Sequence, residues 1–202
     1  MSKLSGLLKV FGGILLIAAF VLCIFNLLDS GRAGADADEI SRSLTAQINT
    51  VQRVNAPDGT DNVVALGAEP PTVSIDNASY IGVLELPDLG LTLPVAAKWS
   101  YTQLQVSPCR FSGSPNSNHF VICAHNYSTH FGGISGLNAG AEAVFTDLDG
   151  RRFCYRLKEQ EIVEADDGAH MTDSGYALTL FTCNWNGSAR VTLRFDRVDR
   201  LS

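Results

Sequence analysis

Near the C-terminal end of the chain, one segment closes on a cysteine and the next opens on an arginine. Residues 178–183 read LTLFTC and residues 189–198 read ARVTLRFDRV, with Asn184, Trp185, Asn186, Gly187 and Ser188 between them. Asn-Gly between two alternating segments is the strongest short hairpin signal, a two-residue type I′ turn. With the turn at Asn186-Gly187, Trp185 faces Ser188, Asn184 faces Ala189 and Cys183 faces Arg190. That register gathers Leu178, Leu180, Val191, Leu193 and Phe195 on one face, which is a core face. It gathers Thr179, Phe181, Cys183, Arg190, Thr192 and Arg194 on the other. Directly opposed side chains have Cβ atoms about 4.5–5.5 Å apart. A cysteine attacks as the thiolate, and a neighbouring guanidinium favours that form. Arginine stays charged at any working pH and can donate to an oxyanion. On the hairpin alone, a buried structural cysteine beside a surface arginine is the plain alternative, since free cysteine is among the most buried residue types.

A cysteine nucleophile needs a proton-transfer partner, usually histidine. His125 ends an apolar strand in FVICAHN (120–126), where a rigid edge can present it to a site. His119 starts the same strand, His130 lies in a Gly-rich loop and His170 in an acidic one. These three read as solvated or loop-packing residues.

The elements that must position these groups are short strands. From residue 73 onward the candidates are 80–86, 91–95, 120–124, 143–147, 152–157, 161–163, 178–183 and 189–198. Eight short strands with Gly, Pro and Asn between them indicate a mainly β domain, a small barrel or a sandwich. Short helical turns are expected at 101–106 and 134–137.

Upstream, residues 10–28 (VFGGILLIAAFVLCIFNLL) carry no charge and span about 28 Å as a helix, close to a bilayer core. Lys3 and Lys9 precede the run, and Asp29, Arg32, Asp36, Asp38 and Glu39 follow it. That charge order favours the N-terminus inside and the rest outside. A transmembrane signal anchor is preferred over a cleaved signal peptide, whose apolar region is usually 7–15 residues. A buried core helix is disfavoured because the run is apolar on every side. Residues 29–72 read as an acidic extracellular spacer. Within it 39–54 could form a short amphipathic helix with Ile40, Leu44, Ile48 and Val51 at helical spacing, broken at Pro57-Asp58-Gly59. The expected domains are thus 1–28, 29–72 and 73–202.

The 202 residues are 46% hydrophobic and 18% charged, with formal net charge −6, a combination that excludes a disordered chain. Without residues 1–28 the remainder has 13 basic and 21 acidic side chains, net −8, which speaks against nucleic acid as a partner. Five cysteines are too few for a disulfide scaffold. A disulfide among Cys109, Cys123 and Cys154 stays open, with a structural free thiol preferred at each. Cys123 alternates onto the side of His125, and Cys23 falls in the apolar run. Asp166, Asp167 and Asp173 lack the spacing of a calcium loop, so no metal and no cofactor is expected.

Taken together, these residues resemble the sortase family, membrane-anchored cysteine transpeptidases of Gram-positive bacteria. The family's T-L-x-T-C motif is similar to Thr179-Leu180-Phe181-Thr182-Cys183, and its strand ending in His-Asn to residues 121–126. His130-Phe131-Gly132-Gly133-Ile134 and the Leu137, Gly140, Val144-Phe145, Asp149-Gly150 pattern resemble it too, and Arg190-Val191-Thr192-Leu193 matches the Arg that opens the last strand. The likeness spans about residues 73–198. It implies an eight-stranded β-barrel with short helices, preceded by one transmembrane helix. It also implies Cys183 as nucleophile, His125 as general acid and base, and Arg190 as the group that orients substrate and stabilises the oxyanion. The implied substrates are secreted proteins with an LPxTG-like C-terminal sorting signal. The implied acceptor is an amine of a peptidoglycan precursor or a pilin lysine. The protein would sit in the cell membrane by a single pass with its catalytic domain extracellular. Six residues between Cys183 and Arg190 are few for the family, which leaves Arg194 in reserve, and 163–177 leaves little room for the long helix of class B members. The alternatives are an inactive membrane-tethered β-barrel binding module and a papain-type hydrolase. The latter places Cys before His, the reverse of the order here.

Overall fold

A computed structural model describes residues 2–55, 69–117 and 119–198. The Pro57-Asp58-Gly59 break lies outside the described residues. The molecule divides into two units, residues 1–32 and 33–202.

The first unit is the start of α1 (Ser2–Asn55). Val10, Leu16, Phe20, Phe25 and Leu27 all expose more than half of their surface. The helix is long and apolar enough to cross a membrane.

The second unit is a barrel with the remainder of α1 on its surface. Its strands are β1 (Val73–Ile75), β2 (Ala78–Leu86), β3 (Leu91–Ala96), β4 (Cys109–Ser112), β5 (Phe120–Cys123), β6 (Glu142–Asp147), β7 (Arg152–Glu164), β8 (Leu178–Cys183) and β9 (Ala189–Arg197). They run β1-β2-β3-β4-β5-β8-β9-β7-β6, and β6 pairs back onto β2, so β2 to β9 close an eight-stranded ring with β1 outside it. β2 serves both neighbours by bulging between Tyr80 and Gly82. Gly82 has φ +152°, and a Cβ there would fall on the Thr146 carbonyl. Only glycine fits that crossing.

The ring holds eight strands, as expected, but not the expected eight. Segments 152–157 and 161–163 are one strand, β7, bent by a bulge between Leu157 and Glu159 where it pairs with β9. The bulge breaks the period-two pattern and makes one strand read as two. The strand that replaces the lost one is β4, too short and too polar (CRFS) to alternate visibly. The expected helical turns appear as α2 (Tyr101–Leu104) and a 3₁₀ turn at Ile134–Gly136. Ser100 caps α2 by accepting from the Gln103 amide.

The interior is filled from every strand except β1 and β4, with Phe120, Phe145, Phe195, Leu84, Leu180 and Leu193 fully buried. Each such side chain contributes about 1.5–3 kcal/mol of transfer free energy. A second cluster lies outside the sheet and takes in part of the segment expected as a spacer. Ala33, Ala37, Ile40, Leu44 and Ile48 recur at helical spacing on α1 and are buried, and Ile40, Leu44 and Ile48 pack in a cluster with Tyr80 and Val83 of β2. Ser41 donates to the Thr92 carbonyl and Gln52 to the Gly150 carbonyl. The amphipathic stripe seen in the sequence is therefore a docking face, and the domain begins near residue 33.

Candidate active site

The site is built on the outer face of β5, β8 and β9. β5 and β8 are parallel, in the register Phe120↔Leu178 to Cys123↔Phe181. Beyond Cys123 the alignment continues: the Ala124 amide donates to the Phe181 carbonyl (3.2 Å), and Thr182 Oγ1 to the Ala124 carbonyl (2.9 Å). The same offset sets His125 beside Cys183. On the other side, β8 and β9 pair Cys183 with Arg190. His125, just past the end of β5, thus continues the row that Cys183 and Arg190 make across β8 and β9. All three are half-buried and line one groove.

The hairpin reaches this register by a different turn from the expected one. The Gly187 amide donates to the Asn184 carbonyl and the Asn184 amide to the Ala189 carbonyl. Gly187 has φ +76°, whereas Asn186 is not among the positive-φ residues. The turn is therefore centred on Trp185-Asn186 with Gly187 left-handed, and is not the type I′ turn on Asn186-Gly187. The sum of paired residue numbers is the same for both turns, so the Cys183–Arg190 pairing is unaffected. The type I′ site is instead Asp76-Asn77 between β1 and β2, where φ is +48° and +66°. Asn184 and Ser188 side chains close the hairpin tip, and Trp185 is 98% exposed, covering nothing.

Around the row, the groove is mostly apolar. Trp99, Tyr101 and Leu104 border it from the α2 side, Phe111 from β4, and Gly168 and Met171 from α3 (Gly168–Thr172). Phe111 meets Phe181 edge to face at 5.3 Å. The groove offers about 160 Å³ of space to water-sized molecules. Tyr127 lies over His125 with ring centroids 4.9 Å apart, and His130 lies 5.5 Å beyond Tyr127. His130 is fully buried, and burial lowers its pKa to about 4. It is packed and neutral rather than solvated. His119 is exposed, and His170 bonds Glu161 at 2.9 Å.

The two arginines of β9 have different surroundings. Arg190 Nη1 donates to the Gly187 and Ala189 carbonyls (3.1 and 3.2 Å), and the rest of its fork meets no hydrogen-bond partner among the described residues. Arg194 is fully buried. Its Nε bonds Glu161 (2.6 Å), Nη1 bonds the Met171 carbonyl and Thr179 Oγ1, and Nη2 bonds the His170 carbonyl. The reserve arginine is a tether for α3, outside the groove.

Cys109 and Cys123 face each other across β4 and β5 as free thiols. Burial pushes Cys109 up to about 12 and raises Cys123 further still, which keeps both protonated. Cys154 is a free thiol as well. Among the described residues, no group of His, Cys, Asp and Glu is arranged to hold a metal ion. Sequence reasoning missed the aromatic wall of Trp99 and Phe111 and the Tyr127 ring beside His125. These rings come from three separate loops and strand ends, and no spacing links them.

A family model described as the sortase domain matches residues 84–197. No curated protein matches the chain at a significant level. Solved structures do. A Clostridium perfringens sortase D5 transpeptidase superposes with TM-score 0.57 at 15% identity, covering 84% of this chain and 99% of that one. Streptococcus pneumoniae sortase C gives 0.55 at 19%, covering 82% and 96%. Clostridium perfringens sortase C with a C-terminal cell wall sorting motif gives 0.53 at 20%, covering 81% and 91%. At these identities the superpositions speak for the fold, and the match over more than half of the residues speaks for descent: the chain belongs to the sortase family of cysteine transpeptidases.

Proposed function

We propose that this chain is a membrane-anchored transpeptidase acting on LPxTG-like sorting signals of secreted proteins, with His125, Cys183 and Arg190 as its catalytic residues. The observation that carries the reading is the groove these three share, with Cys183 opposite Arg190 across β8 and β9 and His125 just past the end of β5.

The Cys183 sulfur attacks the scissile carbonyl carbon, forming a C–S bond, and the carbonyl oxygen becomes an oxyanion. Arg190 donates to that oxygen from the part of its fork not spent on the hairpin carbonyls. The C–N bond then breaks and His125 gives a proton to the leaving amine, which leaves a thioester on Cys183. In the second half, an incoming amine attacks the thioester carbonyl, His125 takes its proton, and the Cys183 thiolate departs. The apolar groove walls suit the aliphatic and prolyl side chains of such a signal, and they exclude water that would hydrolyse the thioester. The acceptor is an amine of a cell-wall precursor or of a pilin subunit. A single N-terminal span, with the domain outside the cell, holds the enzyme where both partners arrive and raises their effective concentration.

The test is mass spectrometry of the chain mixed with an LPxTG-like peptide. A covalent acyl adduct on the peptide containing Cys183 is expected, together with release of the C-terminal fragment. Cys183→Ala and His125→Ala each abolish turnover. Full cleavage by Cys183→Ala overturns the enzyme reading and leaves the tethered binding module.

A further inference from the structure

A second cleft adjoins the catalytic groove. It has about 500 Å³ of water-accessible space and is bordered by Lys98, Arg110 of β4 and the loop that follows β4. Trp99 and Phe111 line both spaces, and their rings lie 5.8 Å apart, so an aromatic pair divides the two. Phe111 in turn touches Phe181, two residues before Cys183.

The two compartments differ in chemistry. The groove is mostly apolar with Glu164 and Asp167 on its border, whereas the cleft border carries Arg110, Lys98 and the buried Ser114. Arg110 is fixed by an Nε bond to the Ala97 carbonyl (2.9 Å), and Nη1 also reaches the Gly113 carbonyl (3.3 Å). Ser114 is 4% exposed, and its Oγ has no hydrogen-bond partner among the described residues. A buried hydroxyl without a partner is costly unless something completes it. One ligand is already visible: the Glu69 carboxylate bonds Arg110 Nη1 at 2.6 Å, while its own side chain is 79% exposed. A carboxylate from an exposed side chain thus sits on the anchored guanidinium. Displacing it leaves the Arg110 guanidinium, with Lys98 on the same cleft border, as a cationic seat in an acidic chain.

We propose that this cleft binds a carboxylate carried by the acceptor amine, and that Glu69 occupies the seat until the acceptor arrives. The inference rests on the proposed transpeptidation and names the chemistry of its second substrate. The acyl donor fills the apolar groove, so the amine must approach from a side the donor leaves open. A carboxylate held at Arg110 lets its chain cross the Trp99–Phe111 pair with the amine directed toward Cys183. Arg110 and Lys98 are positioning residues in this scheme.

The experiment compares 6-aminohexanoate, 6-aminohexanamide and 6-aminohexyl phosphate as acceptors for one sorting-signal peptide. The readout is the ratio of acceptor KM values within each variant, so a general loss of activity cancels. In the unaltered protein the amide should show a KM about tenfold above the carboxylate, the size expected of one charge-assisted pair. Arg110→Ala should erase the ratio and Lys98→Ala should reduce it. Glu69→Gln, at an exposed position, should lower the carboxylate acceptor's KM several-fold by removing the internal competitor. Equal KM values for acid and amide overturn the proposal, as does an Arg110→Ala effect confined to the donor's KM. A preference for the phosphate over the carboxylate overturns the carboxylate assignment. A second measurement is independent of turnover: quenching of Trp99 fluorescence by 6-aminohexanoate in a Trp185→Phe background. If binding depends on Arg110 but no peptide is cleaved, the transpeptidase reading fails and the carboxylate site stands. If peptide is cleaved but binding does not depend on Arg110, the carboxylate site fails and the transpeptidase reading stands.

Discussion

Arg190 and Arg194 project from the same face of one strand, about 13 Å apart along it at 3.3 Å per residue. The sequence around them is nearly uniform, yet one is half-open at a groove and the other is sealed. What separates them is the row each occupies. Arg190 lies opposite Cys183 at the hairpin end, where β8 stops and the groove opens. Arg194 lies opposite Thr179, beneath α3, where Glu161, Thr179 and the carbonyls of His170 and Met171 take up its donors. A guanidinium that faces a groove is available to a substrate. One whose fork closes on a helix end satisfies carbonyls that a five-residue helix cannot satisfy itself. The lower arginine thereby holds Gly168 and Met171 in the wall beside the upper one.

The largest expected effect tests that division directly. Arg190→Ala should lower kcat for peptide cleavage about 10²- to 10³-fold, the usual loss for one oxyanion donor, with Tm nearly unchanged. Arg194→Ala should behave in the opposite way, leaving the Glu161 charge with His170 alone and two α3 carbonyls without their donor. Thermal or denaturant unfolding should show a loss of about 3–5 kcal/mol. In the folded fraction, KM for the peptide should rise more than kcat falls, because the groove wall has loosened. A larger kcat loss at Arg194 than at Arg190, at unchanged stability, would reverse the two roles.

The part of this site that alternation and pairing decide was legible in the sequence. Alternation on β8 and β9 separated core from outer face correctly, and the Cys183–Arg190 opposition survived an error in the turn type because both turns preserve the pairing sum. The position of His125 at the groove followed from its place at a strand end. The long apolar helix at the N-terminus followed from length and lack of charge alone. The contents of the second arginine's shell were not legible. Its partners come from β7, α3 and β8, separated in the chain by up to 33 residues, and two of them are backbone carbonyls that any residue supplies. The docking of α1 was half legible. Its stripe at Ile40, Leu44 and Ile48 was visible, but a stripe does not name the surface it meets. The β7 bulge was illegible for a simpler reason: one extra residue inverts the alternation on which strand reading depends.

The smallest effect sharpens the comparison by charge alone. Partial burial of Glu161 opposes ionisation, but hydrogen bonds from His170 and Arg194 outweigh it and hold the carboxyl below its ordinary value. A carboxyl whose pKa is depressed by folding adds stability that is fully present above its unfolded value. That stability is lost as pH falls from the ordinary glutamate range through the lower folded value. Glu161→Gln keeps an acceptor for Arg194 Nε but removes the charge. The cost at neutral pH should be about 1–2 kcal/mol, smaller than at Arg194→Ala because no guanidinium is deleted and the α3 carbonyls keep their donors. The variant should also lose part of the acid-side decline, so its stability below about pH 4, the ordinary glutamate range, should approach that of the unaltered protein. If the two unfolding curves instead stay parallel from neutral pH down through that range, the lower row is held by packing and not by the Glu161–Arg194 pair. The upper row provides the control for this measurement: Arg190→Ala touches neither Glu161 nor α3, so it should leave the acid-side slope as it was.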